Sequence, residues 1–196
     1  MSHPVRQDSA EGGTLEKKGV TEVVSSIDRE GKNVPHNLVM GTYVVIESDS
    51  PYAGQCAVEY NLLPDKSGKY SALYRPTHMI GLELGVSVAS AALRKEPTGA
   101  PICSNSDVVA TTKRAMKAGE VLDGEGGFLV WGKQVPADMS LKQGYLPLGL
   151  AHNVALKRDI AEGECVKWTD VAYDAGADAV KVRREMEAMF ARPNVR

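Results

Sequence analysis

Tyr74-Arg75-Pro76-Thr77-His78-Met79-Ile80-Gly81-Leu82-Glu83-Leu84-Gly85 is where the fold turns, because a period of two gives way there to a period near four. Residues 70–75 alternate, with Tyr70, Ala72 and Tyr74 on one face and Ser71, Leu73 and Arg75 on the other, the pattern of a half-buried strand. Pro76 ends the ladder: it donates no backbone hydrogen bond and holds Arg75 extended, and the Thr77 hydroxyl is placed to cap a helix. The spacing predicts a helix over 78–94. Gly81, Gly85, Ala89 and Ala92 form a small-residue stripe on it, and Ile80, Leu84, Val88 and Ala91 an aliphatic one. Glu83, Ser87, Ser90 and Arg94 leave only a narrow polar stripe, so the helix is expected to be buried. Two interior glycines cost about 1 kcal/mol each against Ala, which points to close packing along the small stripe.

Upstream, strands are expected over 20–27, 40–47, 55–63 and 69–75. The breaks are Glu30-Gly31-Lys32-Asn33, Asp49-Ser50-Pro51 and Pro64-Asp65-Lys66-Ser67-Gly68, the last short enough for a hairpin. Strands followed by a buried helix make an α+β layer. Residues 1–19 carry Glu11-Gly12-Gly13 and Leu15-Glu16-Lys17-Lys18-Gly19 without an apolar period and read as a linker or loop. Lys17 and Lys18 are point-charge donors suited to a substrate phosphate, or simply a solvated pair.

Downstream, Pro97-Thr98-Gly99-Ala100-Pro101 ends the helix and a domain boundary is expected near 102. Beyond it the sequence repeats itself. Lys113-Arg114-Ala115-Met116-Lys117-Ala118-Gly119-Glu120 and Lys157-Arg158-Asp159-Ile160-Ala161-Glu162-Gly163-Glu164 share the form Lys-Arg-x-apolar-x-x-Gly-Glu, 44 residues apart. Each reads as a strand, an apolar residue under a turn, a Gly at positive φ and the next strand, which makes a pseudo-symmetric β unit. Gly124-Glu125-Gly126-Gly127 lacks the Lys-Ser/Thr and helix of a phosphate loop and reads as a structural turn. A strand over 128–131, a short helix over 137–143 and a docking helix over 177–190 follow. The last places Ala179, Val182, Met186 and Met189 on its apolar face.

Lys+Arg 23 against Asp+Glu 25 gives a formal charge of -2, which leaves neither a nucleic-acid footprint nor a patch for anionic membranes. With 43% hydrophobic residues, no signal-like N-terminus and no spanning run, a folded cytoplasmic protein is expected. Cys56, Cys103 and Cys165 are odd in number and far apart, which argues for reduced core thiols over disulfides or a metal site. No HExxH, Walker A, GxSxG, paired CxxC or EF-hand loop occurs. Of His3, His36, His78 and His152, only His78 sits among other candidate site groups; His152 reads as a surface residue. The plain alternative for Arg75, His78 and Glu83 is a strand-end charge, a satisfied histidine and an exposed helix carboxylate.

Three stretches together carry a resemblance: Tyr74 to Gly85, the exit Arg94-Lys95-Glu96-Pro97-Thr98, and the paired Lys-Arg…Gly-Glu units with Leu148-Gly149-Leu150-Ala151 between them. From about Glu11 onward the chain resembles the C-terminal half of homoserine-dehydrogenase-like NAD(P)-dependent oxidoreductases that end in an SAF domain. Within them it resembles the reductoisomerase-like enzyme of some alphaproteobacteria that converts deoxyxylulose phosphate to methylerythritol phosphate with NADPH. The resemblance implies a fold that is α+β and mostly β: an antiparallel sheet with a buried helix, then a compact SAF-like β-clip and a C-terminal helix. It divides the chain into a linker (1–19), a substrate-side and dimerisation region (20–101) and the SAF-like domain (102–196).

Family members carry a Rossmann domain ahead of this region, and no strand-GxGxxG-helix unit precedes Val20 here. The expectation is therefore a C-terminal portion with no cofactor of its own, NADP belonging to the intact family enzyme, and activity only with a Rossmann partner or the missing half. A homodimer through the sheet or the small-residue helix, and a small phosphorylated or carboxylated sugar-like substrate, complete that expectation. The resemblance implies catalytic roles for His78 and Glu83 and substrate contacts from Tyr74, Arg75, Lys17 and Lys18. Arg75 offers a planar fork to phosphate or carboxylate, and His78 an imidazole that titrates near neutrality. The rival is a stand-alone SAF binding module for a sugar-like ligand or a protein partner; a flagellar-chaperone role is disfavoured because that task requires export.

Overall fold

The computed structural model describes residues 21–22, 26–35, 37, 41–75 and 79–190, and these fall into two compact units, one over 22–100 and one built from residue 21 with 101–190. The linker expected over 1–19, the centre of the strand expected over 20–27, and Lys17, Lys18 and His78 lie outside the described residues.

In the first unit, β1 (Thr42–Glu47) pairs antiparallel with β3 (Tyr70–Arg75), which also pairs with the short β2 (Leu63–Pro64). The register sets Tyr43 opposite Tyr74 and Val45 opposite Ala72. The β2–β3 turn closes on Asp65, whose carboxylate accepts from the Ser67 hydroxyl at 2.6 Å and the Tyr70 N–H at 3.0 Å. The strand expected over 55–63 is instead helix α1 (Pro51–Glu59). Ser50 is its N-cap, accepting from the Ala53 N–H at 3.2 Å, and Pro51 opens the first turn, where its missing N–H costs nothing. The cap and Pro51 start a helix in which Val58 is the single β-branched residue.

Helix α2 (Ile80–Ala89) forms where the spacing places it and runs on through a π turn, Ser90–Arg94, to a left-handed Lys95. The Ser90 hydroxyl donates to the Glu96 carbonyl at 3.0 Å and helps to close this end. Its expected burial is not met. Leu82 is 73% and Val86 66% exposed, and a Cβ added at Gly81 or Gly85 meets no atom within 4 Å. Periodicity shows which residues favour burial; it does not supply the surface that buries them.

The second unit is built on the repeat. Met116 and Ile160, both fully buried, face each other across a pseudo-two-fold axis, each N–H donating to the other's carbonyl at 2.8 and 2.9 Å. The surrounding bonds follow the same symmetry. Gly119 N–H donates to Leu156 O and Gly163 N–H to Thr112 O; Leu156 N–H donates to Glu120 O and Thr112 N–H to Glu164 O. Both glycines hold positive φ, 88° and 75°, as the turn reading requires. In each copy the Glu carboxylate folds back on a turn N–H and pairs with the Arg: Glu120 with Lys117 N–H and Arg114, Glu164 with Ala161 N–H and Arg158.

Around this centre, β4 (Ser106–Thr112) pairs antiparallel with β6 (Val130–Pro136), and β5 (Val121–Asp123) with β7 (His152–Leu156), which also pairs with β8 (Val171–Ala172). The Thr21 hydroxyl donates to Ser106 Oγ at 2.6 Å and so adds residue 21 to this unit. Helix α3 (Ala137–Gln143) follows β6 directly, ending on Gly144 at φ 66°. The core gathers Ala110, Met116, Leu122, Leu146, Ile160, Val166 and Trp168.

Helix α4 (Asp178–Phe190) docks on a different face from the apolar one expected. Val180 is its buried residue, while Val182 and Met189 lie exposed. The packed face is charged. Arg183 forks onto Asp107 of β4 at 3.1 and 2.5 Å, and the Arg184 guanidinium stacks 3.9 Å over the Trp168 ring. Arginine stems and planar heads cover apolar surface that a hydrophobicity count does not credit to them.

Candidate functional site

Of the residues singled out in the sequence, β3 and α2 bring two together, Arg75 and Glu83. Arg75, at the end of β3, forms a hydrogen-bonded ion pair with Glu83 in the first turn of α2, where the helix dipole favours a carboxylate. In this arrangement Glu83 supplies the counter-charge of Arg75, and both side chains reach solvent. An anionic ligand approaching the guanidinium competes with Glu83 for the same donors. Tyr74 points to the other face of the sheet and is half-buried. Gly41, at φ +138°, presses on this corner: a Cβ there would stand 2.3 Å from the Arg75 carbonyl oxygen and 2.8 Å from the Tyr74 ring. Only glycine fits that approach.

On the Tyr74 face the structure adds a pair that sequence reasoning missed. Tyr43, directly across from Tyr74, donates its phenol hydrogen to the Glu22 carboxylate. Burial first, then the hydrogen bond and charge of Glu22, push the Tyr43 phenol well above the ordinary range, so it is protonated through neutral pH. The only sequence signal was a charged residue inside the expected strand 20–27; the pairing itself depends on register. In a spectrophotometric alkaline titration Tyr43 is expected to ionise after ordinary tyrosines. Glu22→Gln should lower its midpoint, though not to the ordinary value, because burial persists. Because the folded value is raised, this phenol favours folding below about pH 10, and that contribution declines as unfolded tyrosine ionises above it. A midpoint unmoved by Glu22→Gln would remove the pair.

The glycine turn of the second unit, Gly124 to Gly127, closes on Asp123. The Asp123 carboxylate accepts from the Phe128 N–H at 2.5 Å and the Leu129 N–H at 3.0 Å, and a Cβ at Gly127 would fall 2.1 Å from its carbon. These bonds tie the loop into the structural turn that its sequence predicts. His152 is exposed, with Nδ1 2.9 Å from the Asp123 carbonyl oxygen, in keeping with its surface reading. The three cysteines are free thiols. Among the described residues there is no group of three or more His, Cys, Asp or Glu able to hold a metal, and no helix long and apolar enough to cross a membrane.

Residues 2–84 match the model of a family described as oxidoreductase DRL, catalytic domain. No curated protein matches the chain. The match supports an oxidoreductase-like family and takes in Lys17, Lys18, Tyr74, Arg75, His78 and Glu83, as well as Glu22 and Tyr43. It ends within α2 and leaves the duplicated β unit outside.

Proposed function

We propose that this chain is the substrate-side portion of an NAD(P)-dependent oxidoreductase or reductoisomerase, acting on a small phosphorylated or carboxylated sugar-like substrate, with the dinucleotide bound outside these 196 residues. The observation that carries the reading is the coincidence of the matched segment with the Arg75–Glu83 pair and the Tyr43–Glu22 pair. In this reading Arg75 receives the substrate's anionic group and Lys17 and Lys18 add charge, while Tyr74 packs on the opposite face of β3 across from Tyr43. His78 exchanges the proton, and Glu83 holds Arg75 until substrate displaces it. The exposed apolar residues of α2 beside Glu83 support an assembly in which a further body, a dinucleotide-binding unit or a second copy, closes the site and excludes water.

The second unit, on this reading, is an SAF-like β-clip. A stand-alone binding module for a sugar-like ligand is the second reading, and it is favoured by one observation: the duplicated unit has its own core and lies outside the matched segment.

Calorimetric titration of the chain with deoxyxylulose phosphate tests the first reading. Binding is expected, and Arg75→Met should weaken it roughly tenfold to a hundredfold, the worth of a charged hydrogen bond at about 1.5–3 kcal/mol. Binding that survives Arg75→Met unchanged would remove Arg75 from the site and favour the second unit as the binder.

A further inference from the structure

We draw no further inference here: the strongest candidate, the exposed apolar face of α2 formed by Leu82, Leu84, Val86 and Val88 with Gly81 and Gly85 bare beside it, flanks the site already described, and nothing in the structure shows what covers it.

Discussion

Arg158→Met is expected to destabilise the second unit by about 1.5–3 kcal/mol, because the solvent-reaching guanidinium is the charged donor of a buried carboxylate. Arg158 donates to Asp170 at 2.6 and 3.0 Å and to Glu164 at 2.6 Å, and Asp170 is only 4% exposed. Burial pushes the Asp170 carboxyl up, but hydrogen bonds from Arg158 and the Lys167 N–H outweigh it and hold it below the ordinary carboxylate range. Without the guanidinium, a buried charge keeps one backbone donor and loses its cation. The repeat supplies the control. The residue 44 positions before Asp170 is Gly126, and Arg114 pairs with Glu120 at an exposed site. Arg114→Met should therefore cost less than about 1 kcal/mol. Thermal melts of the two variants read the difference directly; equal losses would show that Asp170 adds nothing to the clamp.

The same carboxylate sets an acid limit. Because its folded pKa is lowered, Asp170 contributes stability above its unfolded value near 4, and the contribution is lost as pH falls through the folded value. Asp107, lowered through Arg183 and Ser140 despite its burial, has the same sign. Unfolding below about pH 4 is expected, and Asp170→Asn should flatten the slope there.

Arg183→Met is expected to release α4 at a cost of roughly 3 kcal/mol. Arg183 joins Asp107 on β4 to Glu187 on its own helix, with the Ser140 hydroxyl completing Asp107 at 2.6 Å. These charged side chains are 16%, 11% and 14% exposed, so the methionine leaves the Asp107 carboxylate desolvated without its cation, while Glu187 keeps Arg184. Amide exchange along α4 should rise, and Trp168 fluorescence should change as the stacked Arg184 departs. Adding Asp107→Asn should recover part of the loss, since the pair is coupled. Met189→Ala on the exposed face should stay within about 0.5 kcal/mol. Undiminished protection of α4 in Arg183→Met would mean that Val180 and its apolar neighbours hold the helix alone.

Local chemistry separates the features legible in the sequence from those that are not. The Lys-Arg…Gly-Glu units were legible because their chemistry is local: a glycine at positive φ, a carboxylate folded onto a turn three residues away and a buried apolar residue all fall within eight positions. The strand to Arg75 and the helix after it were legible for the same reason, although α2 begins at Ile80 with Met79 at its N-cap and not at 78 behind Thr77. Residues 55–63 do not form the expected strand because Ser50 and Pro51, which start helix α1, lie outside that stretch. The docking face of α4 differs from the expected apolar one because Arg183 and Arg184, polar by composition, are its packing residues. Tyr43–Glu22 depends on strand register, and the bare face of α2 on bodies beyond its own helix; neither has a local signal. Arg75–Glu83, eight residues apart, was foreseeable as a neighbourhood but not as a pair.

The proposed function has this chain supply the substrate side of a redox enzyme while the dinucleotide binds elsewhere. Its most direct test is an NADPH fluorescence titration of the chain alone, repeated with a separately expressed Rossmann-domain protein from the same genome. The account predicts no binding to the chain alone, and binding with turnover of deoxyxylulose phosphate once the partner is present. Binding of NADPH by the chain alone would contradict it.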